Sequence, residues 1–153
     1  MTDYLLVDYF VTRKDLRELL TACDRAIFLG HGSQQGLFDF SMSDYIIDES
    51  YVDILKGMKD NIYIWCKADV FIDKFELSGF YTGMIISDMD EAKLYNVKAT
   101  IEDVDNSNIN FANSTKENAH FSPELMVENV KIQYNSALNE VIGFNTNNIH
   151  YKI

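Results

Sequence analysis

Two stretches decide the reading of this chain: Phe28-Leu29-Gly30-His31-Gly32-Ser33 and Ile62-Tyr63-Ile64-Trp65-Cys66-Lys67-Ala68-Asp69. Each is a short apolar run that stops abruptly at a residue with side-chain chemistry. An uninterrupted apolar run of this length is the pattern of a strand buried on both faces. A third such run occupies residues 79–86. Between the first two, residues 48–59 place Tyr51, Ile54, Leu55 and Met58 at helical spacing. Upstream, the aromatic and branched residues of 4–11 predict a strand. Thr12 then predicts a helix N-cap with Asp15 at the capping-box position, and Leu16, Leu19, Leu20 and Cys23 form its apolar face. A short helix is expected over 88–95, with 67–78 as a connection. Strand and helix thus alternate, which predicts an α/β fold with a small, open, mostly parallel sheet of about four to five strands flanked by helices.

The C-terminal third reads differently. Residues 101–118 hold Glu102, Asp103, Asp105 and Glu117 against a single Lys116, with five asparagines, so 96–121 is expected to be an exposed acidic loop. Ser122-Pro123-Glu124 then predicts a helix start, and Gly143 its C-terminal cap, giving a C-terminal helix over 122–143.

Composition narrows the function classes. A chain of 153 residues fits one compact domain, 1–153. Lys and Arg number 13 against 24 Asp and Glu, a net charge of −11 that repels phosphate backbones and anionic lipid. Nucleic acid and membrane are therefore not the expected partners. Cys23 and Cys66 are too few for a disulfide framework, and three histidines without Cys/His clustering argue against a structural zinc site; no metal or cofactor is expected. The first ten residues carry Asp3 and Asp8 and lack the basic region of a signal peptide, so a cytoplasmic location with free thiols is expected.

In open α/β sheets functional groups collect at the C-terminal strand edges, and neighbouring parallel strands lie about 4.8 Å apart. His31 and Cys66 end consecutive strands in this scheme. A free thiol is only a few per cent thiolate at neutral pH; an adjacent imidazole accepts its proton and later returns one to a leaving amine. Gly30 and Gly32 allow a sharp turn that brings backbone N–H groups near a bound carbonyl. Ser33 lies outside a G-x-S-x-G context and is expected to bond the loop or orient His31. The glycine spacing G-x-G-x-x-x-G is not that of a dinucleotide loop. His120 and His150 read as surface residues, and Cys23 as core packing.

The pattern of apolar strand, His-Gly, and a second apolar strand ending in Cys 35 residues later resembles the caspase-like cysteine peptidases. That group includes caspases, metacaspases, clostripain, gingipains, legumains, separases and bacterial CHAT-type domains. The resemblance covers residues 24–92, and the shortness of the chain implies a reduced form of the domain. It implies a peptide or protein substrate, Cys66 as nucleophile, His31 as general acid/base, and an oxyanion site of backbone N–H groups near Gly32 and Cys66. It also makes Asp69 and Asp88, after the second and third strand edges, candidates for an acidic pocket that takes a basic side chain. Two other readings stay open: a catalytically inactive domain of the same type acting as a protein-binding or regulatory module, and a flavodoxin-like domain binding a small molecule.

Overall fold

A computed structural model of the protein describes residues 6–7, 11–135 and 139–153. In chain order the elements are helix α1 (Arg13–Thr21), strands β1 (Ile27–Leu29), β2 (Gly32–Ser33), β3 (Gly36–Phe38) and β4 (Tyr45–Ile47), and a 3-10 turn (Glu49–Tyr51) leading into α2 (Val52–Gly57). Then follow β5 (Ile62–Ile64), α3 (Ala68–Phe75), β6 (Gly79–Thr82), α4 (Met89–Leu94), α5 (Ile101–Asn118), α6 (Pro123–Tyr134), α7 (Glu140–Asn147) and β7 (Ile149–Lys152). The expected strand over 4–11 falls largely outside the described residues.

The fold is α/β. Its main sheet has the order β1-β5-β6-β7, parallel from β1 to β6, with β7 antiparallel at the edge; β2-β3-β4 form a separate antiparallel sheet. The alternation of strand side chains divides the core into two layers. Phe28, Tyr63, Trp65 and Tyr81 pack on one face with Leu16 and Leu20 of α1, Leu55 of α2 and Phe71 and Ile72 of α3. Ile62, Ile64, Phe80 and Ile149 pack on the other with Met126, Val127, Val130 and Tyr134 of α6 and Ile142 of α7. All three residues of β5 are buried, which accounts for its unbroken apolar run.

Local signals set several boundaries. Thr12 caps α1 by accepting from the Asp15 N–H, as its spacing predicts. Asp48 accepts from the Ser50 N–H at the start of the 3-10 turn, and Asp88 caps α4. Cys23, by contrast, lies past the end of α1 and is exposed rather than packed in the core. Residues 67–78 are not a plain connection, because α3 occupies most of them.

The largest correction concerns 96–121. It is not an acidic loop: α5 spans 18 residues of it, opened by a capping box in which Thr100 and Asp103 bond each other's backbone N–H. Its side chains are poor helix formers, so packing rather than propensity sustains it. Val104, Ser107, Ser114 and Asn118 face inward, and the polar ones among them have partners. Ser107 Oγ lies 2.6 Å from Tyr134 Oη, and Asn118 Nδ2 donates to Ser114 O and Gln133 Oε1, each at 2.8 Å. The helix expected over 122–143 is also divided. Its first part is α6; Asn139 then caps α7, and Gly143 lies inside α7 rather than ending a helix.

The α5 capping box carries a stability prediction. Thr100→Ala removes the acceptor for the Asp103 N–H, and the expected loss is about 1 kcal/mol, read as a lower midpoint in urea.

Candidate functional site

The ladder between β1 and β5 pairs Ile27 with Ile62, Phe28 with Tyr63 and Leu29 with Ile64. His31 and Cys66 each stand two residues beyond the last of these pairs. Gly30 N–H donates to Ile64 O at 3.1 Å, so the pairing continues past the strand ends toward both. The sheet therefore brings the two backbone positions to neighbouring C-terminal edges.

Their side chains differ in surroundings. His31 is exposed, and its carbonyl accepts from Phe38 N–H at 2.9 Å. Cys66 is partly buried, and its thiol meets Ile85 O at 3.8 Å and Glu91 Oε1 at 4.0 Å, both beyond the end of β6. Among the described residues no hydrogen bond joins the sulfur to the imidazole. Burial pushes the Cys66 thiol up, and the negative charges of Glu91 and Asp88 act in the same direction.

The backbone around Cys66 turns sharply. Lys67, the next residue, has φ 67° in the left-handed region, an uncommon conformation for a side chain of its size. Its N–H donates to Gly83 O at 3.2 Å, and Ala68 N–H donates to Trp65 O at 3.2 Å. These bonds convert strand to helix within two residues and leave Cys66 at the bend. Asp69 follows in the first turn of α3, where its Oδ1 is buried without a hydrogen-bond partner among the described residues. A Cβ at Gly83 would lie 3.4 Å from Asp69 Oδ2 and 2.6 Å from Asn148 Oδ1, so a larger residue there must push the Asn148 amide aside.

The loop after β1 is built around Trp65. A Cβ at Gly32 would lie 2.4 Å from Trp65 Cδ1 and 2.6 Å from Gly36 O, so glycine is required here by close approach. Trp65 Nε1 donates to Ser33 O at 3.1 Å. Ser33 Oγ bonds Gln35 Oε1 at 2.7 Å and Tyr45 Oη at 2.9 Å, which is the loop-bonding role. In the β2–β3 ladder the Phe38 to His31 bond makes the next pair, Gly32 with Leu37, a non-hydrogen-bonded one. The Gly32 N–H thus points out of the hairpin.

Asp88 is committed elsewhere: its Oδ1 accepts from Asp90 N–H at 2.9 Å and Glu91 N–H at 2.8 Å. Glu91 was not among the residues singled out by sequence. Its spacing from Asp88 is that of a capping box, and this would have tied it to the turn before α4. Asn145 of α7 and Asn148, its C-terminal cap, were also missed. Asn145 Oδ1 accepts from Ile86 N–H at 2.7 Å and its Nδ2 donates to Ile86 O at 2.9 Å; Asn148 Oδ1 accepts from Met84 N–H at 3.2 Å. No local pattern marks such contacts, which join residues about sixty apart.

No family model, curated protein or solved structure matches this chain. No helix among the described residues is long and apolar enough to cross a membrane.

Two outcomes follow from this geometry. Gly32→Ala must displace Trp65, so a loss of about 1–3 kcal/mol is expected, together with altered fluorescence of the only tryptophan. Iodoacetamide at pH 7.5 is expected to label exposed Cys23 well before Cys66, because burial and the adjacent acids keep the Cys66 thiol protonated.

Proposed function

We propose that the protein is a cysteine peptidase of caspase-like type, in which Cys66 is the nucleophile and His31 the general acid/base. The observation that carries this reading is the register: both residues stand two positions beyond the pair Leu29 and Ile64 on adjacent parallel strands. The bend at Lys67 and the exposure of His31 support it.

In the proposed reaction the imidazole takes the thiol proton, and sulfur forms a bond to the scissile carbonyl carbon. The outward-pointing Gly32 N–H is the donor available to the resulting oxyanion. The carbon–nitrogen bond breaks as the imidazolium returns its proton to the leaving amine, and water then hydrolyses the thioester. Asp69, which stands in the first turn of α3 with its Oδ1 unbonded among the described residues, is the better candidate for binding a basic side chain of the substrate. The Asp88 carboxylate is engaged in capping α4, so its contribution is limited to its charge. The chain would act on peptides or proteins in the cytoplasm without a cofactor, and neither nucleic acid nor membrane is a partner in this reading.

A second reading has one observation in its favour. The thiol lies against Ile85 O and Glu91 Oε1, and among the described residues no hydrogen bond joins it to His31, as expected of a domain that keeps the caspase-like sheet as a binding or regulatory module.

Peptide-library cleavage followed by mass spectrometry separates the two. The peptidase reading expects turnover by the wild type, none by Cys66→Ala, and a loss of at least roughly 100-fold in His31→Ala, the low end of what positioned acid–base catalysis contributes. Both variants should unfold within a few degrees of the wild type. Turnover retained by Cys66→Ala eliminates the mechanism, and a wild type that cleaves nothing leaves the module reading.

A further inference from the structure

The proposed nucleophile is held by a wall that sequence reading did not anticipate. Cys66 leaves the C-terminal edge of β5, and its thiol meets the segment joining β6 to α4. That segment is fixed at both ends. Glu91 Oε2 accepts from Ser87 N–H at 2.7 Å and Ser87 Oγ at 3.0 Å, which leaves Oε1 facing the sulfur at 4.0 Å. On the other side, the amides of Asn145 and Asn148 hold the main chain of Ile86 and Met84.

A carbonyl and an ionised carboxylate are acceptors only. The single S–H proton can serve either acceptor, whereas a thiolate in this position would face two acceptors with no proton between. The charged groups that act on the sulfur are Glu91 and Asp88 at the start of α4, and Lys67, the next residue in the chain. Two of the three are anionic. The α7 face of the wall contributes neutral amides.

We infer that Glu91 is a positioning residue for the proposed reaction: it holds Cys66 protonated and turned to the β6–α4 segment, and the sulfur becomes a nucleophile when the Glu91 charge is neutralised or its contact is broken. This rests on the reading of Cys66 and His31 as the reacting pair. It accounts for a nucleophile and a base that share a sheet edge without a bond between them. Asp88 adds to the effect through its charge but does not touch the sulfur, so its share is smaller.

The test is the rate of iodoacetamide labelling of each cysteine in the full chain from pH 5 to 10, read by mass spectrometry. Glu91→Gln keeps the shape of the side chain and removes its charge. The Cys66 profile is expected to move to lower pH, with labelling at pH 7 raised about tenfold, the change in thiolate fraction that one pKa unit carries. Asp88→Asn keeps the helix cap and should move the profile less, in the same direction. Cys23 should be unchanged in every variant.

A Glu91→Gln profile superimposed on the wild type overturns the inference, as does a parallel rise at Cys23, which would signal general loosening. If Glu91→Gln does not fold, an unmoved Asp88→Asn profile overturns it instead. Adding His31→Ala to Glu91→Gln distinguishes this idea from the one beneath it. A profile that responds to Glu91 but not to His31 keeps the Glu91 role and removes the reacting pair.

Discussion

Strand β5 lies between β1 and β6 with every side chain buried, and the two faces of the molecule are organised around it. Tyr63 and Trp65 anchor the layer under α1, α2 and α3, while Ile62 and Ile64 anchor the layer under α6 and α7. Tyr63 stacks on Phe28 and meets Trp65 edge to face, and Trp65 in turn meets Phe71, so one aromatic chain links β1, β5 and α3. Each such side chain is worth about 1.5–3 kcal/mol when fully buried. A strand this heavily constrained cannot slip in register without moving its residues to the opposite layer. The same constraint fixes where β1 and β5 end, and so places His31 and Cys66 at one edge.

The region past β6 is held by different means. The ladder with β7 ends at the pairing of Thr82 with Ile149, and beyond it the side chains of Asn145 and Asn148 replace strand partners for Ile86 and Met84. Asn145 Nδ2 also reaches Tyr134 Oη at 2.9 Å, which joins α7 to α6 through the same amide. A buried backbone group left without a partner costs about 1–3 kcal/mol, so these asparagines define the path of the chain from β6 to α4. That path brings Ile85 O and Glu91 to the sulfur of Cys66. The chemical state of the thiol thus depends on α7 and α4 as much as on its own strand.

The segments legible from sequence are those whose signals are local. Residues 27–29, 62–64 and 79–82 are strands because their apolar runs suit a sheet covered on both faces, and Thr12 caps α1 because its side chain reaches a backbone N–H three residues on. The α/β class, the parallel pairing and the edge positions of His31 and Cys66 follow from that pattern. What the pattern lacked were elements stabilised from outside. The Asn-rich α5 has weak intrinsic helicity and exists through its packing against α6, and the small β2-β3-β4 sheet is wrapped about Trp65, whose indole bonds Ser33 O. The direction of the Cys66 thiol belongs to the same class. The sequence places a cysteine at a strand end; contacts from residues 19 and 25 positions away decide which atoms its sulfur meets, because a side chain takes its rotamer and its ionisation from neighbours in space.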